Sequence, residues 1–546
     1  MHDFFGARQL CGVLLACLLT ACGGGDDDDT VSVSVTPGAI SFSAASPEAT
    51  TPAPRIVTAT FGANVAQLSV THDGPAIAGV RSILDGRTAQ ITIDPSTPAS
   101  VGAGVFTGTV AITGQVCANV NCSSLIAGGT AKVSVQYQVS PVVRLVMPYV
   151  ATAGKSDTVI IRGVGFRAHN VSGVKFGAIA ALSSTVVSDT EIQATHPALT
   201  AGRYEVQIDA SGHQGPITSM ATLAVVDPVT FAAGTLAYPT APASVKNMVY
   251  DTERDALLVA TDAAGGTLLR YPHQAGPNQT GLWEAASSAT IGQLQDITLS
   301  TNGAQLLAIA KTALIPIEPV TLVPGTPLKP PALATDNFLK NIVVAHDSLA
   351  LITTGSGASK ATSLYGYNLR TAALTELSAS LNNATPAIAA NGSRAVLVQG
   401  DPKLTSDPAV STYVAATSAF GNATVSLKQN AVAPAMDRTA TRIALNGVKV
   451  YSGDFDQIGT LPATTLAVVF RPDGKRAYTY DSAAGAILTF DTSTDRNDTA
   501  LPRLGPAVAL AGHPGTGVKM IISLDGSTLF LAGNAQIVVQ PTLSEP

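Results

Sequence analysis

Charge is scarce in this sequence: Asp, Glu, Lys and Arg make up 12% of its 546 residues, while hydrophobic residues reach 46%. The net charge is −6 and no basic cluster occurs, which argues against a nucleic-acid partner. Aromatic residues are 5%, with Trp283 the single tryptophan, too few for a large sugar cleft built from stacking platforms. No apolar run reaches the roughly 20 residues of a membrane-spanning helix. The signatures of common chemistries are also missing. There is no Gly-x-Ser-x-Gly elbow, no His-Glu-x-x-His, no paired Cys-x-x-Cys and no phosphate loop. Histidines are scattered without ligand spacing; His273, His346 and His513 fall in different repeats. The oxygen-rich stretch from Asp491 to Asp498 lacks the glycine and terminal Glu of an EF-hand loop and reads as a solvated turn. No cofactor, metal site or catalytic residue is implied.

What is present begins with an address. Leu10 to Leu19 has the length of the apolar core of an export signal. It runs into Leu19-Thr20-Ala21-Cys22, which resembles the lipobox of bacterial lipoproteins. That resemblance implies cleavage before Cys22 and lipidation of its sulfur, with residues 1–21 as signal peptide. Residues 22–29, three glycines and four aspartates after the cysteine, read as a flexible, self-repelling tether. Gly23, where such lipoproteins carry Asp for inner-membrane retention, points to the outer membrane, facing either side. Of the five cysteines, Cys117 and Cys122 then remain for the folded body. A lone close pair in an oxidising compartment becomes a disulfide. The loop between them holds no His, Asp or Glu, so it reads as a stapled turn, with a binding loop as the alternative.

The 49 glycines and 33 prolines suit an all-β chain of short strands and tight turns. Residues 30–139 alternate with period two, as in Ala89-Gln90-Ile91-Thr92-Ile93 and Lys132-Val133-Ser134-Val135. The spacing of these runs predicts a β-sandwich. Gly102 to Val110 resembles a strand of bacterial Ig-like repeats, including the BACON type, with Phe106 in place of the usual Tyr. Residues 141–227 resemble an IPT/TIG domain, another Ig-like sandwich. The matching pieces include Val159-Ile160-Ile161-Arg162-Gly163-Val164-Gly165-Phe166, Ser188-Asp189-Thr190-Glu191-Ile192 and Ala201-Gly202-Arg203-Tyr204. Gly163 and Gly165 are not a dinucleotide loop, since the third glycine is absent and strands follow.

Residues 228–546 repeat. Asn302-Gly303, Asn391-Gly392, Asp473-Gly474 and Asp525-Gly526 each sit between two apolar strands, a strong hairpin signal. Degenerate copies lie near residues 253, 347 and 439. The mean step is about 45 residues, the size of a propeller blade. The pattern resembles the YVTN or lactonase-like seven-bladed β-propellers, most closely at Pro472-Asp473-Gly474-Lys475-Arg476-Ala477-Tyr478. The final repeat supplies three strands where a blade has four, so residues 229–238 are expected to complete it. Inner strands are expected to begin near Val245, Leu294, Lys340, Thr385, Ala431, Thr464 and Val518. Their ionisable residues are Lys246, Asp296, Lys340 and Lys519, a poor set for a divalent metal and a fair one for an anion.

Three functions compete on this reading. The first is a lipid-anchored, non-catalytic binding or scaffold module, two sandwiches acting as spacers for a propeller that meets an unidentified protein or glycan. The second is a structural component of an outer-membrane assembly. The third is a lactonase-like or other hydrolytic propeller. The membrane address has a direct test: a Cys22→Ser chain should appear in the soluble fraction, and its persistence in membranes would refute lipid anchoring.

Overall fold

In the computed structural model the described residues are 32–542, apart from 212–216, 218–220, 230, 275–281, 332, 357–361, 382, 400–408, 426, 428–432, 446–447 and 496–498. The expected signal peptide, Cys22 and tether therefore lie outside the described residues, as do Arg496, Asn497 and Asp498. No described helix is long and apolar enough to cross a membrane. The chain is all-β and divides into two compact units. The first contains Thr50–Val101 and Phe106–Gln138; the second contains Val139–Pro546.

In the first unit the period-two segments form a sandwich. One sheet has the order Val33–Thr36, Arg55–Phe61, Thr88–Pro95, Ile77–Asp85; the other has Ala39–Ala44, Leu125–Val139, Gly104–Cys117, Gln67–Asp73. The inward positions carry Val57, Ile91, Ile93, Val110, Ile112, Val133 and Val135, all buried. Cys117 ends one long strand and is disulfide-bonded to Cys122, with their Cα atoms 4.6 Å apart. The bond staples the hairpin end, where Asn119 also donates from Nδ2 to Ser123 Oγ at 2.7 Å.

The second unit opens with the other Ig-like sandwich. One sheet is ordered Ser183–Ser188, Glu191–His196, Asp157–Val164, Val142–Met147. The facing sheet runs Val150–Thr152, Thr222–Val226, Gly202–Asp209, Gly173–Phe176, Ile179–Ala180, and its first pair is parallel. Ile161, Phe166, Phe176, Ile192, Val206 and Leu223 fill the space between them. Gly163 and Gly165 have different duties. Gly165 has φ +84°, while Gly163 lies in a strand where a Cβ would come within 1.9 Å of Val142 O.

Among the described residues seven further sheets follow. Their innermost strands are Val245–Asp251, Leu294–Leu299, Asn337–Val344, Thr385–Ile388, Ala435–Met436, Thr465–Phe470 and Lys519–Ile522. Each packs beside the next and the last beside the first, so the ring is a closed propeller. Every repeat signal is the turn between the inner and second strands. Gly303, Gly392, Gly474 and Gly526 all adopt φ between +66° and +77°. In the degenerate copies Asp255, Ser348 and Ala440 take the left-handed conformation instead, at roughly 1–2 kcal/mol each for a residue with a Cβ. That substitution is why those copies are hard to recognise.

The seam is closed across the ends of the domain. Gly234–Leu236 pairs antiparallel with Ile537–Pro541, in register Gly234↔Val539 and Leu236↔Ile537, as the outermost strand of the seventh blade. Just before it, Phe231 is 2% exposed and wedged between blades. Its ring stacks on Trp283 with centroids 5.5 Å apart and meets Phe530 edge-on at 5.3 Å. The lone tryptophan thus reports on closure. Phe231→Ala should cost about 3–5 kcal/mol, the usual range for emptying a buried phenylalanine site. Urea unfolding followed by Trp283 fluorescence should show it; an unchanged midpoint and emission maximum would mean that Phe231 does not hold the seam.

Candidate functional site: the propeller channel and its two faces

The inner strands all enter at one face and leave, through the repeat turns, at the other. At the entry end the ladder slips by one residue in four blades, so that Lys246, Gln295, Lys340 and Leu466 stand unpaired opposite the second strand. Such bulges re-aim a side chain. Here they occupy equivalent places in Val245-Lys246-Asn247, Leu294-Gln295-Asp296 and Leu339-Lys340-Asn341, a correspondence visible only when the blades are superimposed.

Asp296 is buried, 3% exposed, and takes no lysine as partner. Asn247 Nδ2 of the preceding blade donates to it at 2.6 Å and Asn341 Nδ2 of the following blade at 3.2 Å. The backbone N–H groups of Ile297 and Ile342 donate at 2.8 Å each. The carboxylate thus ties three consecutive blades at the channel, bonded apart from Lys246, Lys340 and Lys519, with which the sequence grouped it. Asn247 and Asn341, which do this with it, were not singled out in the sequence, being uncharged residues one place after each bulge.

The lysines take other partners. Lys246 Nζ donates to Ser244 Oγ at 2.8 Å and lies 3.6 Å from Asp262. Lys340 Nζ donates to Asn383 O at 2.8 Å and Thr385 Oγ1 at 3.3 Å. Burial, and then the positive charge of Lys519, lower the Lys340 pKa. The Lys519 side chain makes no hydrogen bond or ion pair among the described residues. Among those residues no group of three or more His, Cys, Asp or Glu is disposed to hold a metal.

The turn face is covered by the Ig-like domain that precedes the propeller. Arg162 pairs with Glu191 at 3.0 Å, both buried, and its other nitrogen donates to Ala415 O on the propeller. Arg438 of a repeat turn pairs with Asp157, and Arg203 with Glu253. Tyr149 sits on Gly303, where a Cβ would come within 2.4 Å of its ring. Under this cover His346 is 1% exposed. Burial, reinforced by the Arg162 charge, pushes its pKa down to about 3, so it is neutral at ordinary pH. His273 is elsewhere, buried against Trp283 and bonded to Asp255 at 2.8 Å, and His513 is exposed. The three histidines do not converge.

The fold and these faces define an all-β chain: an Ig-like sandwich, a second one seated on a propeller, and seven blades around a channel. Comparison with known proteins adds one family, since residues 141–225 match the IPT/TIG domain. No curated protein matches the chain. Among solved structures it is similar to a gluconolactonase from Xanthomonas campestris, at 9% identity and TM-score 0.35, over 57% of this chain and 90% of that one. It is also similar to a calcium-bound Trichoderma reesei carbohydrate-active enzyme of family AA12, at 15% identity and TM-score 0.33, over 58% and 98%. Likenesses of this depth carry no chemistry across.

Burial pushes the Asp296 pKa up to about 6, against four hydrogen bonds that pull it down. Because the folded value exceeds the unfolded one, the folded state binds more protons between about pH 4 and 6. This group's contribution therefore falls as pH rises through that window, by up to about 3 kcal/mol. The stability difference between wild type and Asp296→Asn should shift in the variant's favour from pH 4 to pH 7. A difference that does not change with pH would contradict the burial of an ionisable Asp296.

Proposed function

We propose that the chain is an outer-membrane lipoprotein that acts as a non-catalytic binding or scaffold module. Its sandwiches are spacers and its propeller is the platform. The anchor at Cys22 supplies the location, and the partner is a protein or glycan with anionic groups. The observation that carries this reading is how the ionisable groups at the channel are engaged. Acid–base work needs a carboxylate or histidine free to exchange a proton with substrate. Asp296 has its oxygens occupied by four N–H donors, Lys246 is held by Ser244 and Asp262, and Lys340 points its ammonium group at neutral oxygens. Among the described residues, Lys519 is the one of the four candidate channel residues whose side chain has no such partner. With the turn face covered by the IPT/TIG domain, the entry face, where Lys340 and Lys519 lie, is the one open to a macromolecular partner.

Two measurements test this. Metal analysis of the purified chain should find no stoichiometric calcium or zinc; either metal at one equivalent would promote a hydrolytic propeller. Retention on an immobilised polyanion should fall in a Lys340→Ala/Lys519→Ala variant and fall with added salt, as exposed charge interactions do. Equal retention of variant and wild type would remove the entry face as the platform.

A further inference from the structure

The seat between the IPT/TIG domain and the turn face is not filled. It encloses a cleft of about 880 Å³, within the roughly 300–1,000 Å³ typical of small-molecule sites. Polar and charged residues line it together with apolar ones such as Ile160, Val414 and Leu524, and among its described residues none is Phe, Tyr or Trp, so a ligand there is not held by ring stacking. Four carboxylates reach the cleft, Asp157, Glu191, Asp473 and Asp525, and each is already engaged. Asp157 pairs with Arg438 and Glu191 with Arg162. Asp473 accepts Lys475 N at 3.0 Å and lies 3.6 Å from Arg471, and Asp525 accepts the hydroxyls of Ser523 and Ser527.

Two cations in the lining have no such partner. Lys155, exposed on the IPT/TIG side, makes no side-chain hydrogen bond or ion pair among the described residues. Arg394, on the propeller side, forms no ion pair there. It donates from Nη1 to Gly453 O, rests on the Phe455 ring at 5.0 Å, and leaves Nε buried without an acceptor. His346, which also lines the cleft and is 1% exposed, leaves Nδ1 unpartnered, a donor or an acceptor according to its tautomer. A buried N–H without an acceptor, such as Arg394 Nε, is costly unless something supplies one. The carboxylates are satisfied and the donors are not, and an anion has the acceptors that are lacking.

We propose that this cleft binds a small polar anion, a carboxylate or phosphate compound, between Lys155 and Arg394, with His346, Asn391 and Ser393 adding neutral hydrogen bonds. The site is separate from the entry face. Lys519 begins the inner strand Lys519–Ile522, about 10 Å long at roughly 3.3 Å per residue, and Asp525 lies in the turn beyond its far end. A ligand here would also bridge the two domains.

Titration calorimetry of the purified full chain with inorganic phosphate and, separately, citrate tests it. At least one anion should bind at one equivalent, and which of them binds tells phosphoryl from carboxylate chemistry. Lys155→Ala, an exposed site whose loss leaves the unliganded melting point unchanged, should weaken binding about ten-fold or more, as loss of a charge-assisted hydrogen bond does. Arg394→Gln should do the same, while Lys519→Ala should leave binding as it was. Failure of both anions to bind would overturn the proposal. So would full affinity in Lys155→Ala, or loss in Lys519→Ala, which would place the anion at the entry face. None of these outcomes bears on whether the channel holds a metal, so this inference and the binding-module reading fail separately.

Discussion

A ring of sheets has one seam, and everything else in the second unit depends on how that seam is shut. Here three residues from the start of the propeller, Gly234–Leu236, become the outer edge of its last blade. An open ring would expose two sheet faces and an unpaired edge, the usual liability of β-proteins. Closure buries Phe231, Trp283, Tyr250 and Phe530 in one aromatic cluster between the first and last blades. It also sets the position of the IPT/TIG domain, because that domain's last strand, Thr222–Val226, ends a few residues before Phe231. The channel, the covered face and the cleft all follow from this one pairing.

The chemistry around the channel follows the same logic of satisfaction. Burying Asp296 without a cation would be costly in isolation. Four N–H donors from three blades offset that cost, and in doing so they lock those blades to one another. A carboxylate used as a structural tie is unavailable as a base. On the opposite face arginines make the ties, Arg438 and Arg203 in ion pairs between the IPT/TIG domain and the propeller and Arg162 in a hydrogen bond to Ala415 O. There the arginines outnumber what the interface consumes, and Arg394 is left over.

Local rules determined a large part of this protein from sequence alone. Period-two alternation placed the strands of the first sandwich, because a sheet with one buried face must alternate. The Asn-Gly and Asp-Gly turns located four blade hairpins, because few residues other than glycine enter the left-handed region cheaply. The short last repeat foretold that an earlier segment would complete it, because a blade one strand short leaves an edge open. Cys117 and Cys122 were close enough in sequence for their bond to be read directly.

What only the tertiary structure decided is which side chains meet across blades and domains. The role of Asp296 depends on Asn247, 49 residues earlier, and Asn341, 45 residues later. Arg162 reaches Ala415 over 253 residues. Nothing local encodes such partners, since the ring brings together positions equivalent in the repeat and distant in the chain. The bulges that turn Lys246 and Lys340 at the entry face are shifts in pairing register, which exist only once a second strand is present. The cleft is likewise lined from two domains, so its unpaired cations, Lys155 and Arg394, become a set only when the IPT/TIG domain is seated on the turns.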